Sequence, residues 1–422
     1  MNTVCLHLKP NNCGKVIMKK TVRLSLLILM IFASSVYAEK IMNNNVSVRT
    51  MPGAFYPIVT ILNSGDEVLL LETKDPWKKV KTANGNAGWI SGNAFNAIGN
   101  AIDYGTMAKE NPQRSISKIM VTAAVKGFFE NKINDKNLNK AVLDNPSNSY
   151  ILPSQYNQFL AETYKGRWSR EKFERKNSIS QEGAFKIDEN LVALSCYICA
   201  RLAAPGLSQN QGLVQYVNNV AQLIMENTEF YDLPITVHIV KTDEIFANAT
   251  PIGVIMISEG MLKTIRNESE LACLLGHEIS HVTLHHGAAE FDKRRPKFAA
   301  EDAFDEMGDE LGVDEVEKEL DEMCNDMYER AIRGRKAEYE AAADERGIVY
   351  ARRAGYKVSG MVSLLERLKT RIPASREPED ASHWLPNAMD KRVKTLDATI
   401  SKNFKDNKNY ETFQARYQQN IR

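Results

Sequence analysis

Residues 271–287 read LACLLGHEISHVTLHHG, and within them His277, Glu278 and His281 stand in the order H-E-x-x-H. Residues four apart share one helix face, so both imidazoles can reach a single Zn2+ ion. Glu278 lies one step round the helix, within reach of a water that such an ion activates. The flank before it carries helix-start signals: Asn267 and Glu270 form an N-x-x-E capping pair ahead of the apolar Leu271, Leu274 and Leu275. The spacing predicts a helix that starts near residue 268 and stops at Gly287, a residue type common just past a helix C-terminus. The competing reading is an amphipathic helix whose two histidines are merely packed or solvated. A third metal ligand elsewhere in the chain would separate the two.

A metzincin would place glycine at 284 and histidine at 287, where this chain has Leu284 and Gly287, so that class is excluded. The remaining option is a glutamate from a second helix, as in a gluzincin. Residues 336–347, KAEYEAAADERG, offer Glu338 and Glu340. The two lie about 200° apart on a helix, so only one can face the metal. From Glu340 the same face continues through Asp344, Gly347, Ile348 and Ala351, and is small beside its carboxylates. From Glu338 it runs through Ala342, Glu345, Arg346 and Val349, a charged face suited to solvent.

At 422 residues, with 43% hydrophobic and 25% charged residues, the chain has the composition of a globular protein of two or three domains. A net charge of +1, with no basic stripe studded with aromatics, argues against a nucleic-acid partner. Lys19, Lys20 and Arg23 precede an apolar run over residues 24–33, and Val36, Tyr37 and Ala38 supply a small-x-small cleavage site. Residues 1–38 therefore read as a signal peptide, with residues 1–17 an upstream extension from a misplaced start. The apolar run is half the length of about 20 residues that a membrane span needs. An uncleaved anchor is the alternative. No later stretch could span, so we expect a periplasmic or otherwise exported protein with no integral membrane span after cleavage.

Cys196, Cys199, Cys273 and Cys324 follow the leader. Cys196 and Cys199 form a C-x-x-C inside an apolar run, read as core cysteines rather than a redox or metal pair. Cys273, one turn before His277, reads as packing behind the site.

Residues 39–100 show short alternating runs punctuated by Pro52-Gly53, Ser64-Gly65, Asp75-Pro76 and Asn84-Gly85, the pattern of a small all-β barrel. Residues 101–184 carry no motif with chemistry and read as a helical spacer or accessory layer. Amphipathic helices follow from 185, then a strand over 234–240, a turn over 246–253 and a strand over 254–257. That second strand is either an exposed edge able to accept an extended peptide or an ordinary paired strand. Between Glu301 and Glu322, twelve of twenty-two residues are acidic, with no D-x-[DN]-x-[DN]-G calcium loop. This insert is either a solvated face or a lid.

Residues 185–396 resemble the metallopeptidase family that includes the HtpX heat-shock protease and the CAAX prenyl endopeptidase, in its soluble periplasmic branch. The resemblance rests on A-N-A-T-P-x-G from Ala247, E-L-A-x-L-L-G-H-E-I-S-H-V from Glu270 with His286 after it, E-x-x-A-D-x-x-G from Glu340, and A-G-Y from Ala354. Ile252 replaces the family's second glycine of a P-G-G turn, and the late His-Pro-to-Arg motif is loose, with His383, Pro386 and Arg392 spread apart. The register of the third block is kept only if the ligand is Glu340. The N-terminal module is similar to the bacterial SH3-like family at V-R-x-x-P-G from Val48, G-D-E-V from Gly65, W-x-K-V from Trp77 and G-x-x-G-W-I from Gly85. Its members bind cell-wall peptides or other proteins. Trp77, Tyr56 and Trp89 either line such a groove or form the core and rim of the barrel.

The resemblance implies an α+β chain: a mainly helical gluzincin domain with a small sheet over 185–422, preceded by the barrel. It implies one Zn2+ held by His277, His281 and Glu340, Glu278 as general base, and Asp344 orienting a ligating histidine. His383 is a candidate N–H donor to the oxyanion, Arg392 a structural ion pair, and His286 a packing or hydrogen-bonding residue. Substrates would be proteins or peptides, such as unfolded or misassembled envelope proteins. A chaperone-like client binder with an occluded site and a wall-peptide hydrolase directed by the SH3-like module are the other two readings.

Overall fold

A computed structural model of the chain describes residues 38–96, 138–139, 142, 150–167, 189–292, 322, 325, 335–371, 386–405 and 409–421. The leader before Ala38, most of the 101–184 region, nearly all of the acidic insert, Cys324 and His383 lie outside the described residues.

Alternating apolar residues after the leader fold into β1 (Ala38–Lys40), β2 (Val46–Arg49), β3 (Ile58–Leu62), β4 (Glu67–Lys74), β5 (Trp77–Thr82) and β6 (Ala87–Ser91), in the order β1-β4-β5-β6-β2-β3. All pairings are antiparallel. Inward-pointing Val48, Val68, Val80 and Ile90 fill the interior, as a period of two dictates.

The helical part comprises α1 (Pro153–Tyr164), α2 (Glu189–Leu202), α3 (Gln211–Met225), α4 (Glu259–Thr264), α5 (Glu268–Thr283), α6 (His286–Asp292), α7 (Ala337–Arg353), α8 (Ser359–Arg371), α9 (Pro386–Asn403) and α10 (Gln414–Ile421). It also holds a three-stranded sheet of β7 (Thr236–Val240), β8 (Ala247–Ala249) and β9 (Val254–Ser258), ordered β7-β9-β8. The fold is α+β, a small all-β barrel followed by a mainly helical domain with a small sheet. No described helix is long and apolar enough to cross a membrane.

One open alternative is decided, and two local expectations are corrected. The strand beginning at Val254 is no edge: β9 is central, buried throughout and paired on both sides, parallel to β7 and antiparallel to β8. Its five uninterrupted apolar and small residues suit burial on both faces. The edges are instead β7 and β8, and β8 lies inside the segment expected to be a turn, buried and bonded from Ala249 N–H to Glu278 of α5. The helix of the H-E-x-x-H motif ends at Thr283 rather than Gly287; His285, at φ 54°, takes the left-handed position and turns the chain into α6. Gly287 serves close packing, since a Cβ there would lie 2.5 Å from Pro251 Cγ.

The barrel is joined to the helical domain through the turn after α3. Arg49 Nη2 donates to Glu226 Oε1 at 2.5 Å, and Tyr156 of α1 donates to Glu226 Oε2 at 2.7 Å, with Glu226 fully buried. Trp77 stacks on Tyr231 at 5.6 Å, and Ser91 and Asn93 donate to Asp232. Trp77 and Trp89 are buried, so Trp77 spends its ring face on this junction. α1 pairs with β3 through Asn157, which both donates to and accepts from the Ile58 backbone.

Candidate metal centre

Asn267 caps α5 by accepting from Glu270 N–H at 3.1 Å, and Glu270 reaches back to Arg266 N–H at 2.9 Å. Every residue of α5 is buried. At its N-terminus the buried Glu268 accepts from Tyr216, Tyr356 and Arg416 of α10, which fixes the helix in the core. One turn of this helix brings His277 and His281 together with their Nε2 atoms 3.1 Å apart.

α7 crosses α5 where glycine meets glycine, and this contact delivers Glu340. Its Oε2 lies 3.3 Å from His277 Nε2 and its Oε1 3.6 Å from His281 Nε2. Glu338 is exposed, whereas Glu340, Asp344, Gly347, Ile348 and Ala351 are all buried. Asp344 Oδ1 lies 2.8 Å from His277 Nδ1, on the far side of that ring. Arg392 of α9 grips Asp344 with two bonds of 2.7 Å and places Nη1 3.4 Å from Glu340 Oε2. The ion pair expected of Arg392 is thus part of the site. His281 Nδ1 faces His286 Nδ1 at 2.9 Å, and Tyr339 stacks on His286 at 4.3 Å.

Glu278 is buried and accepts from Ala249 N–H of β8 at 2.8 Å. The residues expected to do chemistry are therefore gathered in one place, except His383, which lies outside the described residues. Sequence reasoning missed Arg335. It donates from Nη2 to Ala249 O at 2.9 Å, from its backbone N–H to Glu340 Oε1 at 3.1 Å, and pairs with Glu290. Its position just ahead of α7 was visible, but no spacing rule links it to β8. Cys273 is buried against α8, and Cys196, Cys199 and Cys273 are free thiols; burial pushes Cys196 and Cys273 up to about 12.

The donor set fits a metal. The two imidazole nitrogens and the Glu340 carboxylate all lie within 4.8 Å of one another, the N2O set that zinc takes in catalytic sites. Glu340 Oε2 is buried and accepts no hydrogen bond among the described residues, with His277 Nε2 at 3.3 Å and Arg392 Nη1 at 3.4 Å, so its lone pairs are available to a metal. Charge is tuned around it. Burial alone would lower His277, but Asp344 and Glu340 carry it up to about 10. Burial drives His281 well below the usual imidazole range and takes His286 down to about 4. Burial raises the Glu278 carboxyl. Burial would also raise Glu340, yet His277 and Arg392 hold it well below the usual carboxylate range.

Residues 209–400, which hold every one of these groups, match the family model for peptidase family M48. That stretch resembles an M48 peptidase domain. The barrel, over residues 44–95, matches the bacterial SH3 domain model. The chain is similar to a protein named beta-barrel assembly-enhancing protease from Yersinia pestis, 29% identical over 116 residues, which is 28% of this chain and 24% of that protein. The protein of the same name from Escherichia coli K12 is 32% identical over 74 residues, 18% of this chain and 15% of that protein. The chain thus spans about a quarter or less of the length of these curated relatives.

Proposed function

We propose that the chain is an exported zinc-dependent endopeptidase that hydrolyses peptide bonds in unfolded or misassembled envelope proteins. The observation that carries the reading is the convergence of His277 Nε2, His281 Nε2 and Glu340 on one buried point with the Glu278 carboxylate beside it. His277, His281 and Glu340 would hold one Zn2+ per chain. Bound there, the ion supplies Lewis acidity, lowering the pKa of a water to about 7 and polarising the scissile carbonyl.

The substrate lies along β8. Phe246 and Thr250 bond toward β9, so the alternating peptide groups of Ala247 and Ala249 face away from it; Glu278 and Arg335 hold those of Ala249, and a substrate strand would displace them there. Backbone pairing there is indifferent to side chains and suits sequence-tolerant cleavage of extended segments. Glu278, at the end of that edge, takes the proton from the attacking water and passes it to the leaving amine. Its burial favours holding that proton between the two steps. Asp344 keeps His277 in the tautomer that leaves Nε2 free. His383 is proposed as a donor to the oxyanion. We place the signal peptide at 1–38, the SH3-like domain at 39–100, an accessory region at 101–184 and the peptidase domain at 185–422. The relatives' name supports an envelope substrate, and the leader supports export.

A second reading, a client-binding protein with an occluded site, is favoured by one observation: Arg335 and Glu278 already occupy the carbonyl and amide of Ala249. Cleavage of an unstructured protein such as casein by the wild type, lost in Glu278→Gln and with a chelator, separates the two. A folded, zinc-loaded wild type that binds casein without cutting it would favour client binding.

A further inference from the structure

Each candidate histidine ligand has a polar group facing its outward nitrogen, but of different chemistry. His277 Nδ1 faces the carboxylate of Asp344, whereas His281 Nδ1 faces another imidazole, His286, at 2.9 Å. We propose that His286 is the positioning residue of His281: its Nδ1 accepts the Nδ1–H of His281 and so aims the Nε2 lone pair of that ring at the metal. The proposal rests on the metal-centre reading above.

The protons decide the direction of this bond. The Nε2 of His281 is the atom that faces His277 Nε2 and Glu340, so a neutral ligating ring must carry its proton on Nδ1. Two facing Nδ1 atoms at 2.9 Å leave room for one proton. With His281 as donor, His286 Nδ1 is bare and its own proton sits on Nε2. The opposite arrangement would put the His281 proton on Nε2 and abolish the ligand. Both rings are buried, so water is a poor substitute.

His286 is itself fixed on two sides. His285, in the left-handed conformation at φ 54°, ends one helix and starts the next, which swings His286 back beside a ring only five residues earlier. Tyr339 stacks on His286 with planes 12° apart, and its neighbour in the chain is Glu340. Ligand, positioner, stacking ring and second ligand thus form a closed circuit between α5, α6 and α7. A neutral partner on His281 also adds no further negative charge to a pocket already holding Glu278, Glu340 and Asp344.

The test is zinc affinity by chelator competition on the purified mature chain, for the wild type, His286→Phe and His286→Asn. Phenylalanine keeps a ring to stack on Tyr339 but offers no acceptor. Asparagine loses the ring but puts an amide oxygen two bonds from Cβ, where Nδ1 stood. His286→Phe is expected to hold zinc about 10- to 100-fold more weakly, as lost outer partners of metal ligands do. His286→Asn is expected to recover most of that loss. The visible spectrum of the Co2+-loaded chain should change in the Phe variant and stay close to wild type in the Asn variant. Equal affinity of wild type and His286→Phe overturns the proposal, and so does equal weakening by both variants, which would make the ring's packing the cause. Should the Phe variant not fold, long-range 1H–15N spectra of the zinc-loaded wild type decide, since a proton on His286 Nδ1 is incompatible with the assignment. A wild type that takes up no metal would sink the metal-centre reading itself rather than the role of His286.

Discussion

Gly276 and Gly347 meet at the crossing of α5 and α7: a Cβ built on Gly276 would lie 2.6 Å from the Gly347 carbonyl oxygen, and one on Gly347 2.6 Å from the amide nitrogen of His277. Both contacts are with backbone, which cannot swing aside as a side chain can. This closeness lets Glu340 reach the two histidines. Gly347→Ala is expected to cost about 1–3 kcal/mol through overpacking and to weaken zinc binding by pushing Glu340 outward. Thermal unfolding of the metal-free chain and chelator competition check the two effects separately. A variant that loses stability but keeps wild-type affinity would show that the contact does not set the ligand distance.

Glu338 and Glu340 are two residues apart, one exposed and the other buried between His277 and His281. Glu340→Gln is expected to lose most bound zinc, and Glu338→Gln to keep wild-type metal content and cleavage. Metal analysis of the two purified variants reads the difference, and zinc loss confined to the Glu338 variant would reverse the assignment.

Arg392 is buried against Asp344 and Glu340. Arg392→Met strands two buried carboxylates, and breaking a buried pair of this kind costs about 3–5 kcal/mol. Arg392→Met combined with Asp344→Asn should be less destabilised than additivity of the two single variants predicts. Chemical denaturation of all four chains gives the coupling, and strict additivity would argue against a shared network.

Glu226 is fully buried between Arg49 of the barrel and Tyr156 of α1. Arg49→Ala leaves that carboxylate uncompensated and should destabilise the peptidase domain by about 3–5 kcal/mol, although the barrel supplies no metal ligand. Glu226→Gln with Arg49→Met should restore much of the loss. Unfolding followed by a probe in the peptidase domain tests this, and an unaffected midpoint in Arg49→Ala would show that the two domains fold independently.

Burial would raise the carboxyl of Glu229, but the Tyr350 hydroxyl, Arg353 and Arg346 outweigh it and hold it below its ordinary value. A folded-state pKa below the unfolded one contributes stability that is full above the usual carboxylate range and is lost as pH falls through the lowered value. Glu229→Gln should therefore lower the melting temperature near neutral pH and narrow that gap in acid. A constant gap between the two chains across the acid range would contradict the linkage.

The motif H277-E-x-x-H281, the capping pair Asn267–Glu270 and the small face from Glu340 to Ala351 were legible in the sequence because each depends on spacing along one helix. Alternation with turn residues likewise exposed the barrel, and its family match and six-stranded sheet agree. What escaped was set by contacts between segments far apart in the chain. Strand order made β9 central and β7 and β8 the edges, and a run of buried apolar residues reads the same in either place. A left-handed His285 ended the helix before Gly287, since local spacing does not reveal that Gly287 is needed against Pro251. Arg335 over Ala249, Arg392 on Asp344 and Trp77 on Tyr231 each join residues separated by 48 positions or more. Periodicity constrains neighbours on one element, whereas these pairings exist only once helices and strands have packed and brought their side chains within hydrogen-bonding reach.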